Sequence, residues 1–247
     1  MFDVSVRVHV VRAVGSLSLA LVIGLLLVSA GPTDARQSHV APRSHATLTG
    51  QAQAIDGDTL LVGGVRVRLE GIDAPEIDQL CTDAQGRQWR CGIEAHRVLA
   101  RLVAAPTVQC EERGLDKYHR LLGICRAHGL DVNAELVRRG LAWAFVRYSR
   151  SYVAVEEDAR RARVGVWSGT ATPPWQYRTD RWHRATDGAE APKGCPIKGN
   201  VTASGRIYHL PWSPWYDRIK MDGAKGKRWF CSEEEAMAAG WRAARAR

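Results

Sequence analysis

Two short segments carry paired carboxylates, Asp56-Gly57-Asp58-Thr59 and Asp73-Ala74-Pro75-Glu76, and one arginine, Arg68, stands between them. Carboxylates without accompanying His or Cys are hard oxygen donors, which suit Ca²⁺ or Mg²⁺ rather than zinc. The loop from Asp56 is not an EF-hand, because its fifth position is Leu60 and no glycine follows at the sixth. Asp116-Lys117-Tyr118-His119-Arg120 brings further positive charge later in the chain. Together these groups offer what phosphodiester hydrolysis needs: a hard cation on the phosphate, a base for water, and fixed positive charge where negative charge develops. Taken singly, Asp-Gly-Asp is a turn and each arginine a solvated surface residue.

Strands must position these residues. Ala46 to Ile55 and Thr59 to Val62 read as strands meeting at Asp56-Gly57-Asp58, and Gly63-Gly64 makes a hairpin turn. The alternation from Val65 to Glu70 turns one face to a core and leaves Arg66, Arg68 and Glu70 on the other. A helix is expected over Gly92 to Ala104, strands over Thr107 to Glu112 and His119 to Ala127, and helices over Asp131 to Arg139 and Ser151 to Val164. Five short strands with interposed helices suit a small barrel of the OB type.

The 247 residues, 45% hydrophobic and 25% charged, exclude a disordered, collagenous or coiled-coil chain. Lys and Arg number 35 against 26 Asp and Glu, and the formal charge of +9 favours a polyanionic partner. Arg7 and Arg12 precede an uncharged stretch from Ala13 to Thr33 with the apolar run Leu17 to Val28, which reads as a secretory signal. An uncleaved, outward-facing membrane anchor is the alternative, and both readings export the protein. Export favours disulfides. The six cysteines allow 15 pairings, and their spacing favours Cys81 with Cys91, Cys110 with Cys125, and Cys195 with Cys231.

From about Ala46 to Arg178 the chain resembles the thermonuclease (staphylococcal-nuclease-like) family. The resemblance is carried, in the family's order, by Ile55-Asp56-Gly57-Asp58-Thr59, Val67-Arg68-Leu69, Gly71-Ile72-Asp73-Ala74-Pro75-Glu76, Asp116-Lys117-Tyr118-His119-Arg120, Asp131-Val132-Asn133 with Leu136 to Ala142, and Gly165-Val166-Trp167. It implies a five-stranded OB-fold barrel with flanking helices and a Ca²⁺-dependent nuclease that cuts DNA and RNA to leave 3′-phosphates. By motif position, the Asp58 and Asp73 carboxylates and the Ala74 backbone carbonyl would ligate Ca²⁺, with Asp56 in support. Glu76 would be the general base, and Arg68 and Arg120 would bind phosphate and stabilise the transition state. Lys117, Tyr118 and Tyr148 match nucleotide-binding positions. Departures are Ala74 where Thr is familiar, His119 where Gly is frequent, and Val146 at an aromatic position.

Five of the six lysines and six of the nine tryptophans lie beyond residue 170, which marks a separate tail. Its Tyr208-His209 with Pro211, and its Phe230 to Glu235 helix start, resemble the small metal-binding module of Ada DNA-repair proteins. The usual four cysteine ligands are missing, so a Cys195–Cys231 disulfide is expected, with a partial metal site of Cys195, His209 and Cys231 as the alternative. Ser232 and Glu235 form a capping box, and Gly240 ends the helix.

The sequence thus predicts a signal or anchor over 1–35, a linker over 36–45, a mainly β nuclease-like domain with helices over 46–178, a linker over 179–192, and a disulfide-stapled α+β module over 193–247. The expected protein is a monomeric, secreted or periplasmic, Ca²⁺-dependent endonuclease acting on DNA and RNA, with a membrane tether if the N-terminal segment is retained. The rival readings are a non-catalytic OB-fold nucleic-acid-binding protein and a cell-envelope interaction protein.

Overall fold

A computed structural model describes residues 45–116, 118–188, 190–221 and 226–244. The expected signal or anchor over 1–35, nearly all of the linker over 36–45, and Lys117 lie outside the described residues. No helix among the described residues is long and apolar enough to cross a membrane.

The nuclease-like region holds β1 (Thr47–Gly50), β2 (Ala52–Ala54), β3 (Thr59–Val62), β4 (Val65–Leu69), β5 (Ile72–Asp73), β6 (Cys81–Thr82), β7 (Gln88–Trp89), α1 (Cys91–Leu102), β8 (Val108–Leu115), β9 (Leu121–Ala127), β10 (Leu130–Asp131), α2 (Val132–Arg138), β11 (Trp143–Ala144) and α3 (Val153–Arg161). Its main sheet runs in the order β1-β8-β9-β4-β3-β2, with β10 on β9. β4 and β9 are parallel and the other pairs antiparallel. The single strand expected over Ala46 to Ile55 is interrupted at Gln51, so that its first half pairs with β8 and its second with β3. β1 and β2 therefore stand at opposite ends of the sheet order.

The alternation in β4 behaves as expected, since Val67 and Leu69 are buried while Arg66 and Arg68 are only partly so. Leu60, Val62, Val67 and Leu69 pack with Ala95, Val98 and Leu99 of α1 and Val132, Leu136 and Val137 of α2 in the principal core. Asp131 caps α2 by accepting from the Ala134 N–H at 2.9 Å. The fully buried Asn133 side chain accepts from the Cys125 N–H and donates to the Glu70 and Gly123 carbonyls, joining β9 to the chain just before β5. Trp143 is buried with the Cys81–Cys91 bridge and Val166, as a core residue rather than a ligand contact.

The three disulfides are Cys81–Cys91, Cys110–Cys125 and Cys195–Cys231, the pairing the spacing favours. Cys110 and Cys125 are cross-strand partners in β8 and β9.

The segment expected as a linker over 179–192 is instead helical through Asp187, within α4 (Pro174–Asp187). Pro174 at the first helical position starts this helix without a side-chain cap. Its residues are mostly polar and it lacks a continuous apolar stripe, which is why periodicity does not reveal it. The helix is secured by individual anchors. Trp175 stacks on Phe145 with ring centres 5.6 Å apart, and Arg181 donates to the Pro211 carbonyl at 2.8 Å and pairs with Asp217 at 3.2 Å. Trp182 packs against the tail's own core of Ile197, Tyr208, Phe230, Ala236 and Trp241.

The tail folds as a sheet of β12 (Ile197–Thr202), β13 (Gly205–His209), β14 (Arg228–Phe230) and β15 (Arg242–Ala243), in the order β14-β12-β13-β15, with α5 (Glu233–Ala238). The capping box forms: Ser232 Oγ accepts from the Glu235 N–H at 3.0 Å, and Glu235 Oε2 accepts from the Cys231 N–H at 2.8 Å. Because Cys195 and Cys231 are bonded to each other, neither supplies the thiolate a metal needs, and the partial metal site falls. His209 is buried, its Nδ1 3.4 Å from Ser213 Oγ, and burial lowers its pKa to about 4. The unfolded chain protonates this imidazole near its ordinary value of 6.5. The contribution is thus intact above 6.5 and lost as pH falls through the window toward 4. Tail unfolding followed by tryptophan fluorescence should therefore shift to lower temperature between pH 7 and pH 4.5, and His209→Gln should flatten that dependence; an equal shift in the variant would show that other groups cause it.

Candidate active site

Asp58 lies at the end of the β2–β3 turn and Asp73 at the end of β5. Gly57 permits the turn to sit tightly, since a Cβ there would stand 2.7 Å from the Ala74 Cβ. The Ala74 N–H donates to Asp58 Oδ2 at 2.7 Å, joining the two carboxylate segments directly. Arg68, projecting from β4 between them, binds Asp58 Oδ1 through Nη1 and Asp73 Oδ1 through Nη2 at 2.8 Å. Asp58 and Asp73 are 3% and 0% exposed, so both carboxyl groups are held away from water.

Burial pushes the Asp58 pKa well above its usual range, although Arg68 pulls it down. Burial alone would depress Arg68, but Asp58 and Asp73 outweigh it and keep the guanidinium firmly charged. Glu76 sits just beyond, its N–H donating to Gln79 Oε1 at 3.2 Å. Gln79, buried, is fixed in turn by donating to the Thr172 carbonyl at 2.6 Å. Burial lifts the Glu76 carboxyl to about 7, against the pull of Arg178.

Arg178 of α4 is the participant that sequence reasoning did not assign. Its Nη1 reaches Asp73 Oδ1 at 3.1 Å and Glu76 Oε1 at 2.8 Å, and its Nη2 reaches Asp73 Oδ2 at 2.7 Å. More than 100 residues separate it from these partners, and no local pattern signals such a contact.

Arg120 occupies a neighbouring position rather than this cluster. It precedes Leu121, which pairs with Val67 beside Arg68. Asp116 holds it, accepting from Arg120 Nε at 2.6 Å and from the Tyr118 and Arg120 N–H groups at 2.9 Å. His119 adopts a φ of 58°, so it takes the left-handed conformation a glycine would supply and the loop keeps its turn. Tyr118 does not stand free as a base platform: its hydroxyl bonds Glu233 at the start of α5, and burial followed by that carboxylate raises its pKa. Tyr148 is 69% exposed beside Phe145, with ring centres 5.0 Å apart, and Val146 is exposed as well.

The donor set for a divalent cation is chemically suitable, being two buried Asp carboxylates with the Ala74 carbonyl nearby. The guanidiniums of Arg68 and Arg178 pair with the Asp58, Asp73 and Glu76 carboxyls of this acidic cluster. Among the described residues no three His, Cys, Asp or Glu side chains are arranged to hold a metal by themselves.

The family model described as "Staphylococcal nuclease homologue" matches residues 66–169. The succinoglycan biosynthesis protein ExoI of Rhizobium meliloti is 40% identical over 140 residues, covering 56% of this chain and 73% of that protein. The chain belongs to the staphylococcal nuclease homologue family. The micrococcal nuclease of Shigella flexneri is 35% identical over 142 residues, 50% of this chain and 76% of its own length. Protein ParB of Escherichia coli is 33% identical over 168 residues, 60% of this chain and 89% of its own length. The family and its micrococcal nuclease relative support a nuclease, a hydrolase acting on nucleic acid. Residues 176–243 match a different family model, described as ArfC, in place of the expected Ada-type module.

Proposed function

We propose that the chain is an exported Ca²⁺-dependent endonuclease that hydrolyses phosphodiester bonds of DNA and RNA to leave 3′-phosphates. The observation that carries this reading is the convergence of Asp58, Arg68 and Asp73 in one buried cluster, to which Arg178 joins Glu76. Asp58, Asp73 and the Ala74 carbonyl would hold Ca²⁺, which supplies positive charge to the scissile phosphate when bound. Glu76 accepts the proton of the attacking water as the P–O5′ bond breaks, and the leaving 5′ oxygen takes a proton from solvent. Arg68 and Arg120 donate to the phosphate oxygens, whose charge rises in the transition state, and Asp116 keeps Arg120 oriented for this. Tyr148, exposed at the rim, offers a face on which a base stacks, and Lys117 and Tyr118 would flank the nucleotide.

The main sheet would close as a five-stranded OB-type barrel, supported by β1 and β2 being one residue apart in the chain yet at opposite ends of the strand order. The basic N-terminal signal pattern and three disulfides support export, the protein acting as a monomer. The test is cleavage of single-stranded DNA by the oxidised protein from Arg36 onward. Added Ca²⁺ should give cutting with 3′-phosphate ends, and chelator should abolish it; cutting indifferent to chelator would overturn the metal assignment.

A further inference from the structure

Arg178 is placed where an added cation would act. It engages both oxygens of Asp73 and one of Glu76, so it neutralises a candidate metal ligand and the candidate base with one guanidinium. Its setting differs from that of Arg68. Arg68 projects from the middle of a core strand and also approaches the Ile72 carbonyl at 3.5 Å, whereas Arg178 arrives on a helix beyond the residues matched by the nuclease family model. α4 is also tied to the tail, because Arg181, about one turn beyond Arg178, binds the Pro211 carbonyl and pairs with Asp217.

We propose that Arg178 is a built-in counter-ion of the acidic cluster, which divalent cation and substrate phosphate displace together. The inference rests on the reading of Asp58 and Asp73 as calcium ligands. A cation arriving alone must break a two-pronged ion pair that is largely shielded from water, and the freed guanidinium is left without its partner. When a phosphate arrives with it, the guanidinium gains a new anion of matching geometry. Cation and phosphate binding are then linked, each favouring the other by the same factor. The tail, which holds α4, sets the position from which Arg178 acts.

Calcium titration of the full disulfide-bonded chain by calorimetry, with and without thymidine 3′-monophosphate, tests this without any turnover. In the parent, the mononucleotide should tighten calcium binding. Arg178→Gln should bind calcium alone about tenfold more tightly, within the usual range for coupled sites, and respond less to the mononucleotide. Arg178→Lys keeps the charge but loses the fork and should fall between the two. Unchanged or weaker calcium binding by Arg178→Gln overturns the counter-ion. Absence of calcium binding in every chain, or binding that survives Asp73→Asn in the Arg178→Gln background, overturns the metal reading on which it rests.

Discussion

Glu76→Gln is expected to lower the single-turnover rate of single-stranded DNA cleavage by about 10²–10⁴-fold, the usual contribution of a positioned general base. The amide keeps the shape of the side chain but cannot take a proton from water. Arg178 retains both bonds to Asp73, so the change leaves the surrounding positions largely in place. Substrate binding should therefore change little, with the loss falling on the chemical step. The same substitution should raise stability in alkaline solution. Glu76 loses its proton near 4.5 in the unfolded chain and at about 7 when folded, because burial disfavours the charge more than Arg178 favours it. Stability thus falls as pH rises through that window, and Gln removes the penalty. Thermal unfolding at pH 8 and quenched-flow cleavage test the two halves. A rate within a few-fold of the parent would remove Glu76 from the role of base.

Gly92→Ala should reduce cleavage about 10²-fold and destabilise the fold by about 1–3 kcal/mol, as overpacking against a fixed backbone does. Gly92 lies in the first turn of α1, where a Cβ would overlap the Glu76 carbonyl and stand 2.9 Å from the Ile77 Cα. Both obstacles are backbone, so no side chain can swing aside. Cys91 next to it is tied to Cys81, which limits how far the helix can retreat. The strain must then appear in the segment that carries the base. Alanine ordinarily favours a helix over glycine by about 1 kcal/mol, so a loss here would run against propensity. Activity within threefold of the parent, with unchanged unfolding, would show that the Glu76 segment yields freely.

The parts legible in the sequence are those whose causes are local. Thr59 to Val62 and the alternation of Val65 to Leu69 depend on neighbours two residues away, and Asp131, Ser232 and Glu235 act within one helical turn. The pairing of Asp58 with Asp73 is legible because Arg68, on the strand between their two motifs, bonds both carboxylates. Arg120 is expected on a separate later loop, where Asp116 four residues before it holds its guanidinium. α4 leaves no periodic signal because isolated anchors such as Trp175, Arg178 and Arg181 secure it, rather than an apolar face. The Tyr118–Glu233 contact was equally hidden, because it depends on how the tail packs against a loop more than 100 residues earlier.

The three cross-links follow one another along the chain without overlap, spanning 10, 15 and 36 residues. Each loop can close as soon as its own short stretch emerges, before any distant part exists, and small loops lose the least entropy on closing. An interleaved set would require the whole chain before the right partners could meet. Each cysteine's partner is thus the neighbouring cysteine in the chain, so the native set asks only for local loop closures.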